Sequence, residues 1–307
     1  MPFRPARSSA VTVHGSHSSS NLCVNRIELP AQLAHMTAMK HFDITYHGET
    51  VTLADLPEYR KFYTKLESGQ WEPRTFRALS DHLGRDVTYI DIGGWIGVTP
   101  FWASRKAKRV LVVEPDPKCR EILKSLLPLY PNVTLVESAL SPEDCIKLNA
   151  VEGFGSSETS ALAIGDGASV EVQGCSMKKL LKTAGPGPLF VKIDIEGYEY
   201  VIAQELKALD VPQVKGVQLA VHPALYEKTQ TGPALFRRGR ALLATLRLAR
   251  LFGHLQRQTA VGKYPSLVTY LSQGIALAPA PRGADILFLN RATPLQSSAP
   301  DHTLSGQ

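Results

Sequence analysis

Between Val87 and Asp116 the apolar positions fall into two short blocks on either side of a glycine-rich turn. Val87, Tyr89, Ile90 and Ile92 form a run of β-formers of the kind seen in a strand buried on both faces. Asp91-Ile92-Gly93-Gly94-Trp95-Ile96-Gly97 turns the chain, Val98 to Lys108 can return as a helix, and Val110 to Val113 make a second strand with Glu114 at its end. The alternation continues downstream. A helix is expected from Pro117 to about Tyr130, strands at Val133–Val136, Ile146–Val151 and Ser169–Gln173, and a short helix at Met177–Thr183. Leu189–Ile195 reads as a central strand, followed by a helix that opens at Glu196-Gly197 and reaches about Leu209. Gly216–Val221 is the next strand, ending at His222-Pro223, then a long helix from Leu235 to Gln256 and closing strands at Ser266–Leu271 and Asp285–Leu289. Strands alternating with helices predict an α/β fold with a doubly wound, mostly parallel, Rossmann-like sheet.

Upstream the pattern changes. Phe42 to Leu53 alternates as a hairpin turning at His47-Gly48. Pro57 to Ser68 reads as a helix with Tyr59, Phe62, Tyr63 and Leu66 on one face, Trp71-Glu72-Pro73 breaks it, and Arg74 to Leu83 starts another. The chain thus divides into a weakly ordered tail (1–38), a hairpin-and-helix extension acting as cap or lid (39–86), a Rossmann-like domain (87–291) and a second weakly ordered tail (292–307). The polar loop Gly153-Phe154-Gly155-Ser156-Ser157-Glu158-Thr159-Ser160 is too rich in glycine and serine for core.

Composition narrows this little. Over 307 residues, 44% hydrophobic and 20% charged are ordinary for one large folded domain with extensions. The net charge of +6 is shared between an N-terminal arginine group and the 235–257 stretch, so it does not describe a nucleic-acid module, and no nucleic-acid partner is expected. The basic helix 235–257 is expected to be a solvated surface helix, with contact to a membrane surface or an anionic substrate as its functional alternative. Cys23, Cys119, Cys145 and Cys175 lack metal-ligand spacing and read as buried thiols. No apolar run approaches a membrane span, and a cytoplasmic location is expected.

Ligands of such sheets bind beyond the C-terminal strand ends, where Asp91, Glu114, Ser138, Asp194 and His222 all fall. The glycines at 93, 94 and 97 are expected to let backbone pass close to a ligand, and Glu114 can accept from both hydroxyls of a ribose. The turn lacks G-x-G-x-x-G, and Asp91 precedes it where a pyrophosphate would be repelled. An acid there suits a cationic ligand such as S-adenosylmethionine. A nicotinamide-dependent oxidoreductase and a non-catalytic binding protein of the same fold are the alternatives. In the apolar strand VKIDIEGYE, period two puts Lys192 and Asp194 on one face with Glu196 just beyond, either as a plain ion pair or as an active-site cluster.

These stretches resemble the FkbM-type methyltransferases, class I enzymes that use S-adenosylmethionine and mostly methylate hydroxyls. The matching residues are YIDIGGWIG from Tyr89, VVEPDP from Val112, ESALS from Glu137, GFGSSETS from Gly153 and VKIDIEGYEY from Val191, with GQWEPRTF from Gly69 as a lead-in. One departure is Gly94-Trp95 where the family shows Ala-Asn. The resemblance implies that Asp91, Gly93, Gly94, Gly97, Glu114, Asp116 and the Ser138-Ala139 corner hold S-adenosylmethionine, while Lys192, Asp194 and Glu196 line the place where a hydroxyl acceptor on a sugar, glycan or small metabolite meets it. His222 is the candidate base, Asp194 the second. A divalent metal on Asp194, Glu196 and another acid is possible, but nothing in the spacing requires it.

Overall fold

The computed structural model describes residues 39–150, 153–157, 159–162, 167–257 and 284–290. The alternating extension folds as expected: β1 (His41–Tyr46) and β2 (Glu49–Ala54) pair antiparallel across a turn in which His47 and Gly48 both have left-handed φ. α1 (Arg60–Glu67) and α2 (Pro73–His82) follow, and Pro73 at the first helical position fixes the start of α2.

The Rossmann-like body begins with β3 (Thr88–Ile92), α3 (Val98–Ser104), β4 (Arg109–Val113), α4 (Pro117–Leu126) and β5 (Val133–Val136). β6 (Ala139–Leu140), β7 (Cys145–Ala150) and β8 (Ala168–Cys175) form a separate small sheet in the order β6-β8-β7. Then come α5 (Met177–Ala184), β9 (Leu189–Ile193), α6 (Ala203–Leu206), β10 (Val214–Val221), α7 (Pro223–Thr229), α8 (Ala234–Leu248), β11 (Leu255–Arg257) and β12 (Ala284–Asn290). The main sheet runs β11-β12-β10-β9-β3-β4-β5. β10, β9, β3, β4 and β5 are parallel, and β12 and β11 are antiparallel additions at one edge. Chain order reverses between β3 and β9, which places the switch point of the sheet there.

Two expected helices differ. The one after Gly197 is broken into a 3-10 turn at Tyr198–Tyr200, the single turn α6 and a second 3-10 turn at Lys207–Leu209. Glu196 (φ 51°) and Gly197 (φ 91°) enter it through left-handed backbone, and the interruption falls at Ile202, whose φ -96° and ψ 21° are not helical. The basic helix stops at Leu248 instead of Gln256. The Asp210 carboxylate accepts from the backbone N–H groups of Gly253 and His254 at 3.1 Å and redirects the chain into β11, which pairs with β12. The expected strand at Ser266–Leu271 and both tails lie outside the described residues.

The sheet is covered on both faces. α3, α4 and the N-terminal extension share one core with Tyr46, Leu53, Leu66, Phe76, Leu79 and Trp102. α5, α6 and α8 bury the opposite face through Leu180, Leu206 and Leu248. Each fully buried aromatic or aliphatic side chain contributes about 1.5–3 kcal/mol. The extension is also tied in by polar contacts: the Tyr46 hydroxyl donates to the Val98 carbonyl (2.6 Å) and Trp102 Nε1 donates to the Tyr46 carbonyl (3.1 Å). Cys119 and Cys175 are buried free thiols, as expected, whereas Cys145 is disulfide-bonded. No helix among the described residues is long and apolar enough to cross a membrane.

Candidate active site

In-register pairing of β3 with β9 puts Asp91 opposite Lys192 at the switch point. Lys192 is 4% exposed and donates to Asp194 Oδ2 at 3.0 Å, with Asp91 Oδ1 at 4.0 Å. Burial would lower the Lys192 pKa, but Asp194, Asp91 and Glu72 outweigh it, so the ammonium is held charged. Asp194 stays ionised: burial opposes its charge, and Lys192 and His222 more than compensate. His222 Nε2 lies 3.6 Å from Asp194 Oδ1 and 3.5 Å from Glu196 Oε2, and its Nδ1 lies 3.4 Å from Glu199 Oε1. Burial would again lower its pKa, yet Glu199, Asp194 and Glu196 lift it to about 10. His222 therefore carries its proton at neutral pH. Its ring nitrogens face three carboxylates, and the proton they hold there sets it against the base role expected of it.

The glycines of the turn are also required by contacts within the protein itself. A Cβ on Gly93 would stand 1.9 Å from the Asp194 carbonyl oxygen, one on Gly94 2.2 Å from Val112 Cγ1, and one on Gly97 2.2 Å from the Phe101 ring. The collisions are with the protein, so the glycines are needed to dock the turn on β4, α3 and the segment after β9. Gly93 also lines both cavities described below, Gly94 lines one, and Gly97 neither. Asp91 likewise faces inward. It is fully buried, accepts from Thr99 Oγ1 at 2.6 Å and lines neither cavity. It ties Lys192 to α3 and does not present itself to a ligand.

Beyond the ends of β3 and β4 lies a cavity lined by Gly93, Glu114, Asp116, Ala139, Asp194 and Tyr198 among others. Glu114 accepts from the N–H of Trp95 (2.7 Å) and of Asp116 (2.8 Å), and each oxygen keeps a lone pair for a ribose hydroxyl. Burial raises its pKa to about 8. Asp116 is committed elsewhere. Oδ1 caps α4 by accepting from the N–H of Lys118 and Cys119, and Oδ2 accepts from Gly155 N (2.7 Å) and Thr159 Oγ1 (3.0 Å). It clamps the glycine–serine loop over the cavity. Ala139 lines the cavity; Ser138 is buried beside it without lining it.

A second cavity, about 250 Å³, adjoins the first on the side of the extension. Phe62, Trp71 and Trp95 wall it, Glu72, Lys192, Asp194 and Glu196 supply its charges, and Gly93, Trp95, Ser157, Asp194 and Glu196 are common to both cavities. Trp95 stands edge-on to Tyr59 and Phe62, with centroids at 5.5 and 4.8 Å. Its Nε1 donates to the Gly155 carbonyl (2.9 Å), which also accepts from the Tyr59 hydroxyl (2.7 Å). Trp95 thus joins cap, turn and loop. Among the described residues four non-glycines have positive φ: His47, Glu72 (43°), Trp95 (47°) and Glu196 (51°). The last three line this cavity, and strain of this kind collects at functional sites.

The donor atoms of Asp194, Glu196 and His222 lie within 4.8 Å of one another, a spacing that a divalent ion can bridge. Lys192 compensates the Asp194 charge directly at 3.0 Å, so the charge of the set is balanced in part without an ion. Two residues of the site lie inside motifs that the sequence offered but had no role assigned to them. Glu199, fully buried, accepts from the N–H of Gly197 (2.9 Å) and His222 (2.8 Å) and holds the imidazole; its signal was an acid inside an otherwise apolar-flanked YEY. Glu72 comes from the extension, inside the stretch GQWEPRTF that carries part of the resemblance, which gave it no role.

A family model described as the methyltransferase FkbM domain matches residues 90–264, more than half of the chain. No curated protein matches it in sequence. Among solved structures, the FkbM methyltransferase from Methylobacillus flagellatus KT is similar at 15% identity, covering 77% of this chain and 56% of that one, with a TM-score of 0.40. SMU.1697c, a putative methyltransferase from Streptococcus mutans in complex with SAH, is similar at 10% identity, covering 69% and 93%, with a TM-score of 0.38. The 23S rRNA methyltransferase ErmE is similar at 14% identity, covering 73% and 70%, with a TM-score of 0.34.

Proposed function

The chain belongs to the FkbM-domain methyltransferase family, and on that footing we propose that it transfers a methyl group from S-adenosylmethionine to a hydroxyl of a sugar, glycan or small metabolite. The observation that carries this reading is the pair of adjoining cavities at the switch point, which share Asp194 and Glu196 at their junction. When bound, S-adenosylmethionine supplies a methyl group on a cationic sulfonium and leaves as a neutral thioether. The chain's residues fit that ligand: Glu114 offers oxygen lone pairs to ribose hydroxyls, and Asp194 and Glu196 set negative charge at the junction, where a sulfonium is stabilised. Aromatic walls with a charged floor suit a polyol, since the rings pack on its C–H faces and the carboxylates accept from its hydroxyls. Holding both reactants in line provides much of the acceleration of such a displacement.

Isothermal titration with S-adenosylhomocysteine and with NAD tests the donor: saturable binding of S-adenosylhomocysteine supports the reading, and binding of NAD alone overturns it in favour of an oxidoreductase. Incubation with methyl-labelled S-adenosylmethionine and glycan or lipid-linked glycan fractions tests the acceptor; binding without labelling of any fraction favours a non-catalytic relative. The cytoplasm, where the methyl donor is made, is the proposed setting. The Cys145 disulfide speaks for an oxidising one, and a free-thiol titration of the protein from its native source distinguishes the two.

A further inference from the structure

We propose that Glu72, contributed by the N-terminal extension, is the catalytic residue that accepts the proton of the methyl acceptor. This rests on the reading of the second cavity as the acceptor site. Glu72 lines that cavity beside Trp71, Trp95, Lys192 and Asp194. It is held there against its own backbone preference, at φ 43°, immediately before Pro73 starts α2. Its carboxylate is also oriented from below. Gln218 Nε2, on β10, donates to Thr75 Oγ1 at 2.7 Å, which leaves the Thr75 hydroxyl proton for Glu72. Gln218 and Thr75 thus tie the start of α2, and Glu72 with it, to the central sheet.

The other titratable groups of the cavity are unsuited to the task. Asp194 is held ionised by Lys192 and His222 and is a weak base; His222 already carries a proton; the Lys192 ammonium has none to gain. Glu72 is faced by Lys192 and Asp194 from β9 and the segment after it, by Tyr89 from β3, by Asp285 from β12, and by Lys65 and Glu196 across the cavity. Burial raises its pKa most, Lys192 opposes, and Asp194 and Asp285 raise it further, to about 7. A base performs best when its pKa lies near the working pH. In the step, the acceptor O–H gives its proton to a Glu72 oxygen while the acceptor oxygen forms the new C–O bond. The methyl–sulfur bond of the donor breaks with its electron pair staying on sulfur, and Glu72 later releases the proton to solvent.

The test uses the full chain and the variants Glu72→Gln and Glu72→Asp, with two independent readouts. In protein selectively labelled with 13C at glutamate carboxyls and saturated with S-adenosylhomocysteine, one resonance absent from E72Q is expected to titrate near pH 7. Titration in the ordinary carboxylate range overturns the proposal. In methyl transfer to the glycan fraction labelled by the wild type, E72Q is expected to lose about 100-fold or more in kcat, with S-adenosylhomocysteine affinity unchanged within about twofold. E72D should recover part of the rate, and the wild-type kcat/KM should rise with pH to a plateau above about 7. E72Q with wild-type kcat overturns the proposal. If the wild type labels no hydroxyl in any fraction, the O-methylation reading fails, and the carboxyl titration still decides whether Glu72 is a base poised near neutrality.

Discussion

At the scale of single residues the site is a chain of charges in which each partner sets the state of the next: Glu199 holds His222, His222 and Lys192 hold Asp194, and Lys192 bridges to Asp91. Two outcomes follow. His222 has a folded pKa of about 10 against an ordinary 6.5. Its contribution to stability is complete below pH 6.5 and is lost as pH rises through about 10. Glu114, raised to about 8 from 4.5, falls off in the same direction between those values, so the comparison with a variant isolates the imidazole. Urea melts of the wild type and H222Q across pH 6 to 10 should converge at the alkaline end, with the difference largest at pH 6. Lys192→Met leaves Asp91 and Asp194 without their cation in a buried setting, and should cost about 3 kcal/mol or more by the same measurement. Strand-end acids were legible because a parallel sheet brings strand termini to one rim whatever the details of packing. Glu72 was not. It reaches the site from another part of the chain, and only the docking of α2 on the sheet, through Gln218 and Thr75, brings it there.

At the scale of elements, tight docking explains the turn after β3. Gly93→Ala forces a Cβ onto the Asp194 carbonyl and a side chain into left-handed backbone at φ 90°. Thermal unfolding of G93A should show a loss of roughly 2–4 kcal/mol or no folded protein at all. The hairpin, the glycine turn and the strands of the parallel sheet were legible because period two and apolar blocks are local signals. The ends of two helices were not. The periodicity of leucines ran on past Leu248, whereas the chain beyond α8 is held by the capture of the Gly253 and His254 N–H groups by Asp210, a residue far away in sequence. α8 itself exposes Leu235, Phe236 and Leu243 beside Arg237 and Arg240. This combination suits an anionic membrane surface as its proposed partner. Sedimentation with vesicles containing anionic lipid should capture the protein at low salt, and F236E should abolish capture while leaving S-adenosylhomocysteine binding intact. Capture unaffected by F236E would remove α8 as the contact.

At the scale of the whole molecule, the N-terminal extension is part of the body. Tyr46, Leu53, Leu66, Phe76 and Leu79 lie in the same core as Trp102 and Phe101, and Tyr130 closes on Thr52 from the other side (2.7 and 2.8 Å). A chain beginning at residue 87 exposes that core. It should lose near-ultraviolet circular dichroism and bind ANS, whereas an independent lid would leave both signals native.

Trp95 is a wall of both cavities and is tied through one carbonyl, that of Gly155, to a loop clamped by Asp116 and to a tyrosine of the extension. Any ligand that shifts the indole from one side changes the affinity for the ligand on the other, and thermodynamic linkage makes the factor identical in both directions.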